Sequence, residues 1–216
     1  MRTELEQLDF KFSNPFEVVS NFENRLSNFF GSKHCILVDC CTHGLELALR
    51  ATYKSNNILT LPLHTYMSVP MMLAKLSIPY KFSNLSWTKY YTLAPTKIID
   101  AATLWEPNSY IKDTIMVVSF QKKKHIKIGR GGAILLNDDY LANRLRRMRY
   151  DGRDLTKNHA DDQITEVGYH YYMTPEDAAL GILLFEENKN TPAKVWSNND
   201  YIALNHYEVF KNVEVI

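Results

Sequence analysis

Long apolar runs, paired cysteines and an excess of either charge are all missing from this 216-residue sequence, and each absence excludes a class of function. No apolar stretch approaches the length that spans a bilayer, so no membrane partner is expected. The opening Met1-Arg-Thr-Glu-Leu-Glu-Gln7 lacks the basic start and apolar centre of a signal peptide, so a soluble, cytoplasmic protein is expected. Against 25 Lys and Arg stand 24 Asp and Glu, and a formal charge of +1 creates no global field to recruit nucleic acid. The three cysteines, Cys35, Cys40 and Cys41, are odd in number and clustered, a poor disulfide framework that points to reduced thiols. His34 and His43 lie near them, but the spacing fits no paired zinc pattern, and no metal is expected. No internal repeat or low-complexity tract occurs.

What the sequence does contain is alternation. The short apolar runs 35–39, 58–61, 78–82, 97–100, 115–119 and 133–136 read as strands, several without polar alternation and therefore buried on both faces. Helical periodicity occupies 15–30, 43–54, 68–76, 138–148 and 175–187. Strand and helix in turn predict an α/β fold, a mostly parallel (mixed) central sheet with helices on both faces. Residues 1–187 are expected to form this large domain. Residues 188–199 read as a linker, and 200–216 as a closing piece too small to fold alone, so 188–216 is expected to be a short remnant. In such sheets the site lies beyond the carboxyl ends of the strands.

Two features sit at those ends. Asp100 closes the apolar run Lys97-Ile-Ile and is followed by Ala101-Ala102. A carboxylate there can hold a pyridinium nitrogen protonated, as in pyridoxal phosphate (PLP) chemistry, or simply cap a helix. After the next strand comes Ser119-Phe-Gln-Lys-Lys-Lys-His-Ile-Lys-Ile-Gly-Arg-Gly-Gly132, a lysine cluster running into a glycine turn. A Schiff-base lysine needs a lowered pKa, which burial and neighbouring cations supply. Composition alone leaves open a solvated basic loop or a phosphate or nucleic-acid contact.

The stretch resembles the hallmark of the DegT/DnrJ/EryC1/StrS aminotransferases, a sugar-modifying branch of the fold-type-I PLP enzymes: Ser-Phe, three variable residues, the PLP lysine, then a glycine turn. On that resemblance Lys124 takes the Schiff-base position and Ser119 a phosphate-binding one, while Arg130 stands where an acidic residue is usual. Ile98-Ile-Asp-Ala-Ala102 is similar to the family's Glu-Asp-Ala-Ala, making Asp100 the ring-nitrogen partner. Asp39-Cys-Cys-Thr-His-Gly44 resembles the loop that opens the first large helix, where Thr42 and the amides of Cys41 and His43 would hold phosphate at a helix amino end. Pro62-Leu-His-Thr-Tyr66 is similar to the segment whose aromatic residue lies over the cofactor ring, which nominates Tyr66 against a plain core role. Arg149–Arg153 and Gly168–Ala179 resemble two further landmarks, and the likeness covers nearly all of 10–187.

The resemblance implies a PLP-dependent aminotransferase, with Lys124 joined to the cofactor as an imine. Its substrates would be a keto-sugar nucleotide, or a similar carbonyl, and an amino-acid donor. It further implies a homodimer with a shared site. Departures qualify this. Thr103 replaces a longer Gln or His beside the cofactor, and His170 and Tyr172 replace Asn and Arg in a segment that completes the site across the dimer. Arg130, His170 and Tyr172 are therefore candidate substrate or partner-chain contacts. Only about thirty residues follow the last large helix, so a form lacking most of the small carboxy-terminal domain is expected. A non-catalytic or partner-dependent paralogue is the alternative.

Overall fold

The computed structural model describes residues 14–54 and 57–216; the opening heptapeptide and the first residues of the family resemblance lie outside them. Twelve elements alternate along the chain: α1 (Glu17–Phe30), β1 (His34–Val38), α2 (Cys41–Thr52), β2 (Leu59–Pro62), α3 (Ser68–Lys75), β3 (Tyr80–Ser83), β4 (Tyr91–Thr92), β5 (Ile98–Asp100), β6 (Ile115–Ser119), β7 (Gly132–Leu136), α4 (Asp139–Arg149) and α5 (Pro175–Asn188). Local chemistry sets the ends. Gly31 closes α1 in the left-handed region at φ 78°. Asp138 and Thr174 cap α4 and α5 by accepting from the amides of Leu141 and Asp177.

One sheet has the order β1-β7-β6-β5-β4, and β2 and β3 form a separate parallel pair. The α/β class and the mixed sheet are as expected, but parallel pairing is rarer than the alternation implies. In the five-stranded sheet β5 and β6 are the one pair of neighbours joined in parallel. The loop of residues 120–131 returns the chain without a crossover helix, so β7 lies antiparallel to both β6 and β1. The short strand β4, unforeseen, lies antiparallel to β5.

Absent polar alternation has a direct cause. Ile36, Val38, Val117 and Ile134 point into a core shared with α2, α3 and α4, while Cys35, Leu37, Val118 and Leu135 point into another shared with α1 and α5. Both faces are thus covered, and each fully buried Leu, Ile or Phe contributes about 1.5–3 kcal/mol. A buried ion pair ties three elements together: Glu23 of α1 accepts from Arg149 of α4 and from the amide of Leu37 in β1.

The segment expected to be a linker is held by backbone. Lys89 N–H donates to the carbonyl of Trp196 and Asn198 N–H to that of Trp87. From its end onward come three single-turn 3₁₀ helices, Asn198–Asp200, Leu204–His206 and Glu208–Phe210, and Leu204 and Phe210 enter the core. The chain's last residues pair with β3, where Phe82 N–H donates to the carbonyl of Glu214 and Ile216 N–H to that of Phe82. Among the described residues no helix is long and apolar enough to cross a membrane.

Candidate active site

A cavity of about 670 Å³ opens where β5 and β6 end, between the amino end of α2 and the closing segment. Its size falls among ordinary small-molecule sites. Of the residues nominated from sequence, it brings together Cys41, Thr42, Tyr66, Asp100, Thr103, Ser119, Lys124 and Arg130.

Lys124 is half-buried in the loop after β6. Its Nζ donates to the Tyr201 hydroxyl at 3.2 Å and lies 4.7 Å from the centre of the Trp196 ring. Burial pushes its ammonium below the ordinary lysine range, against the attraction of Asp100 and with help from neighbouring Lys123. Its two neighbours Lys122 and Lys123 are exposed. Burial also pushes the phenol of Tyr201 far up, so it remains a neutral hydroxyl.

Asp100 is 5% exposed at the end of β5. Its Oδ2 accepts from Tyr91 Oη at 2.6 Å and its Oδ1 from the amide of Ala102 at 3.0 Å, while Thr65 Oγ1 lies 2.6 Å from the same Tyr91 hydroxyl. The carboxylate is thereby aimed by a buried Thr65–Tyr91 chain. Burial raises its pKa above the ordinary carboxyl value, opposed by the Tyr91 and Ala102 hydrogen bonds and by the charge on Lys124. The pairing of Tyr91 with Asp100 across β4 and β5 places the two together.

At the amino end of α2, Cys40 Sγ caps the amide of His43 at 3.4 Å. Thr42 Oγ1 meets Ser68 Oγ at 2.7 Å, so two hydroxyls face the cavity beside a helix start. Gly132 allows the approach: a Cβ there would lie 2.7 Å from the Cys41 amide nitrogen and 2.9 Å from the Val118 carbonyl oxygen. The His43 ring turns away from the cavity. Its Nδ1 meets Asp39 at 2.6 Å and its plane stacks on Tyr171 at 3.7 Å. Burial opposes its proton, but the hydrogen bonds to Asp39 and Cys40 outweigh that and push its pKa up to about 9.

The remaining candidates are engaged by other partners, and two of them lie outside the cavity. Thr103 Oγ1 donates to the Lys89 carbonyl at 2.5 Å. Arg130 pairs with Asp39 at 2.7 Å, its side chain 66% exposed. His170 is held by Asp151 at 2.9 Å, and Tyr172 packs on Phe16 and Tyr150; neither lines the cavity. Sequence reasoning missed Thr65, Ser68, Tyr91, Trp196 and Tyr201. Only Tyr91 carried a usable signal, an aromatic in an apolar stretch nine residues before Asp100. Asp39, Cys40 and His43 form the one grouping with metal-ligand proximity among the described residues, and Arg130 already neutralises its carboxylate.

A family model described as the DegT/DnrJ/EryC1/StrS aminotransferase family matches residues 6–101 and 111–195. No curated protein matches. Among solved structures, AtS13 from Actinomadura melliaura is similar with a TM-score of 0.70 at 21% identity, over 78% of this chain and 59% of that one. The sugar aminotransferase CalS13 from Micromonospora echinospora gives 0.66 at 17% identity, over 78% and 60%. Helicobacter pylori PseC, an aminotransferase involved in the biosynthesis of pseudoaminic acid, gives 0.68 at 16%, over 86% and 62%. The chain thus matches about 60% of the length of these structures, and the likeness carries the fold.

Proposed function

The chain belongs to the DegT/DnrJ/EryC1/StrS aminotransferase family, and from that membership we propose that it is a PLP-dependent aminotransferase acting on a keto-sugar nucleotide or similar carbonyl compound. The observation that carries this reading is the partly buried amine of Lys124 in one cavity with the buried carboxylate of Asp100.

The donor set fits the cofactor. Asp100, aimed by Tyr91, suits a protonated ring nitrogen, which in turn compensates a buried carboxylate. The hydroxyls of Thr42, Ser68 and Ser119 beside the amino end of α2 suit a phosphate. Tyr66, 55% exposed on the cavity wall, suits the ring face. When bound, PLP supplies an electron sink for negative charge at the carbon bearing the amino group.

The chain's own residues do the rest. Lys124, lowered by burial, holds the cofactor and then acts as the base that moves a proton at the substrate carbon. Trp196 and Tyr201 keep water from its amine. His170 and Tyr172, outside their own cavity, are assigned to the subunit interface of a homodimer. Thr103, tied to the Lys89 carbonyl, and Tyr172, away from the cavity, favour a second reading, a partner-dependent paralogue.

Purified protein titrated with PLP is expected to show a shifted cofactor absorbance, and borohydride is expected to fix the cofactor on the peptide containing Lys124. An unchanged spectrum, or label retained in Lys124→Ala, defeats the proposal. Turnover only after addition of a full-length relative selects the second reading.

A further inference from the structure

Tyr91 and Asp100 stand directly opposite each other in the antiparallel register of β4 and β5, and both side chains are buried. Cross-strand partners project to the same face of a sheet, so the pairing itself brings the phenol to the carboxylate. Among the described residues Asp100 receives two neutral donors, Tyr91 Oη on Oδ2 and the Ala102 amide on Oδ1. An ionised carboxylate only accepts, so the single phenol proton lies in that bond. Thr65 Oγ1, 2.6 Å from the same phenol oxygen, then donates to Tyr91, and the chain has one polarity, from Thr65 through Tyr91 to Asp100. A hydroxyl that accepts a hydrogen bond donates a stronger one.

The other groups near Asp100 act differently. Burial pushes the Cys41 thiol of α2 and the Tyr201 phenol of the closing segment far up, and both stay neutral. Lys124, in the loop after β6, acts on Asp100 through its charge, its amine donating to Tyr201. The Tyr91 hydroxyl is therefore the side-chain donor that stabilises charge on Asp100, against the burial that disfavours it.

We propose that Tyr91, backed by Thr65, is a positioning residue that fixes the charge on Asp100 and thereby keeps the proton shared with a bound ring nitrogen on the ring. A proton between two bases resides on the stronger one, and a hydrogen bond to the carboxylate weakens it as a base. A ring that keeps its proton draws electrons more strongly from the reacting carbon. The inference rests on the aminotransferase reading only for the identity of the ring, since the charge on Asp100 belongs to the chain itself.

Two signals test it. The full chain is titrated with acid without cofactor, and the carboxyl stretch of protonated Asp100 is read as the infrared difference between each protein and the same protein carrying Asp100→Asn. Tyr91→Phe removes the hydroxyl and keeps the ring, and is expected to raise the proton affinity of Asp100 about tenfold or more. Thr65→Val, one link further away, is expected to raise it about twofold, and answers the question where Tyr91→Phe does not fold. The same proteins are then loaded with PLP isotopically labelled at its ring nitrogen. Its NMR signal is expected at the protonated position in the wild type, displaced toward the unprotonated one in Tyr91→Phe and displaced less in Thr65→Val.

An infrared midpoint unmoved in both variants overturns the proposal, as does a ring-nitrogen signal unmoved in both. Lower melting temperatures with neither signal moved make Tyr91 a packing residue and overturn it too. A moved midpoint in protein that takes up no PLP supports the charge assignment and sinks the aminotransferase reading alone.

Discussion

The ammonium of Lys124 donates to the hydroxyl of Tyr201 at 3.2 Å, joining the loop after β6 to a segment 77 residues further along the chain. The contact matters because Tyr201 and Trp196 complete the wall around the amine. The piece beyond α5 is therefore part of the candidate site.

Removing that hydroxyl without opening the cavity isolates its effect. In Tyr201→Phe the charged amine loses an acceptor and gains no water, so its pKa falls further. The pH–rate profile for modification of Lys124 by an amine reagent, read by peptide mass spectrometry, is expected to shift to lower pH. At pH 7.5 the rate is expected to rise about threefold or more. An unshifted profile contradicts the role given to Tyr201.

Asp100 tests the carboxylate. Its pKa is raised by burial, so the folded state holds the proton more tightly than the unfolded one. The stability linked to that proton is present below the ordinary carboxyl range, about pH 3.9, and is lost as pH rises through the raised folded value. Asn at this position carries no charge, and its amide can donate to Tyr91, which then donates to Thr65. Cofactor-free Asp100→Asn is accordingly expected to melt at or above the wild type near neutral pH, while PLP binding is lost. Melting well below the wild type at pH 7 contradicts this account.

His43 gives the opposite sign. Its folded pKa of about 9 exceeds the ordinary value of 6.5, so its contribution is full below about pH 6.5 and vanishes as pH rises through about 9. With solvent screening of a partly open pair, about 1–2 kcal/mol is expected. Thermal melts of His43→Gln are expected to fall roughly 2–6 °C below the wild type at pH 6 and to converge with it by about pH 10.

The buried pair of Arg149 and Glu23 is a stability test away from the site. Arg149→Met leaves the Glu23 carboxylate with only the Leu37 amide, a loss of about 3–5 kcal/mol in urea unfolding. Adding Glu23→Gln is expected to recover part of it. Additive losses in the double variant count against the coupling.

Gly132→Ala probes the approach of β7 to α2. The added Cβ meets backbone of Cys41 and Val118, which cannot rotate aside, so about 1–3 kcal/mol of stability is expected to be lost together with phosphate affinity at Thr42. Unchanged PLP affinity separates packing from the site.

Element positions were largely legible because each rests on local pattern. The run Ile115–Val118 is apolar throughout, and the structure buries it from both sides with α2 and with α1 and α5. Strand direction was not legible, because it depends on which way a connecting loop returns. The loop between β6 and β7 has no helix to force a parallel crossover. Residues 188–199 carry no apolar periodicity, so nothing local marked Trp196 as a wall of the cavity.

By itself the amino-acid sequence determined the alternating α/β elements, the positions of Asp100 at a strand end and of Lys124 in the loop after the next strand, and the family resemblance, all properties of residues near one another along the chain. Only the tertiary structure decided that Tyr91 and Thr65 aim Asp100, that Asp39 draws His43 and Arg130 to itself, and that Trp196 and Tyr201 close on Lys124. The physical reason is that desolvation and hydrogen-bond direction depend on neighbours in space, and in this chain those neighbours come from segments up to 91 residues apart.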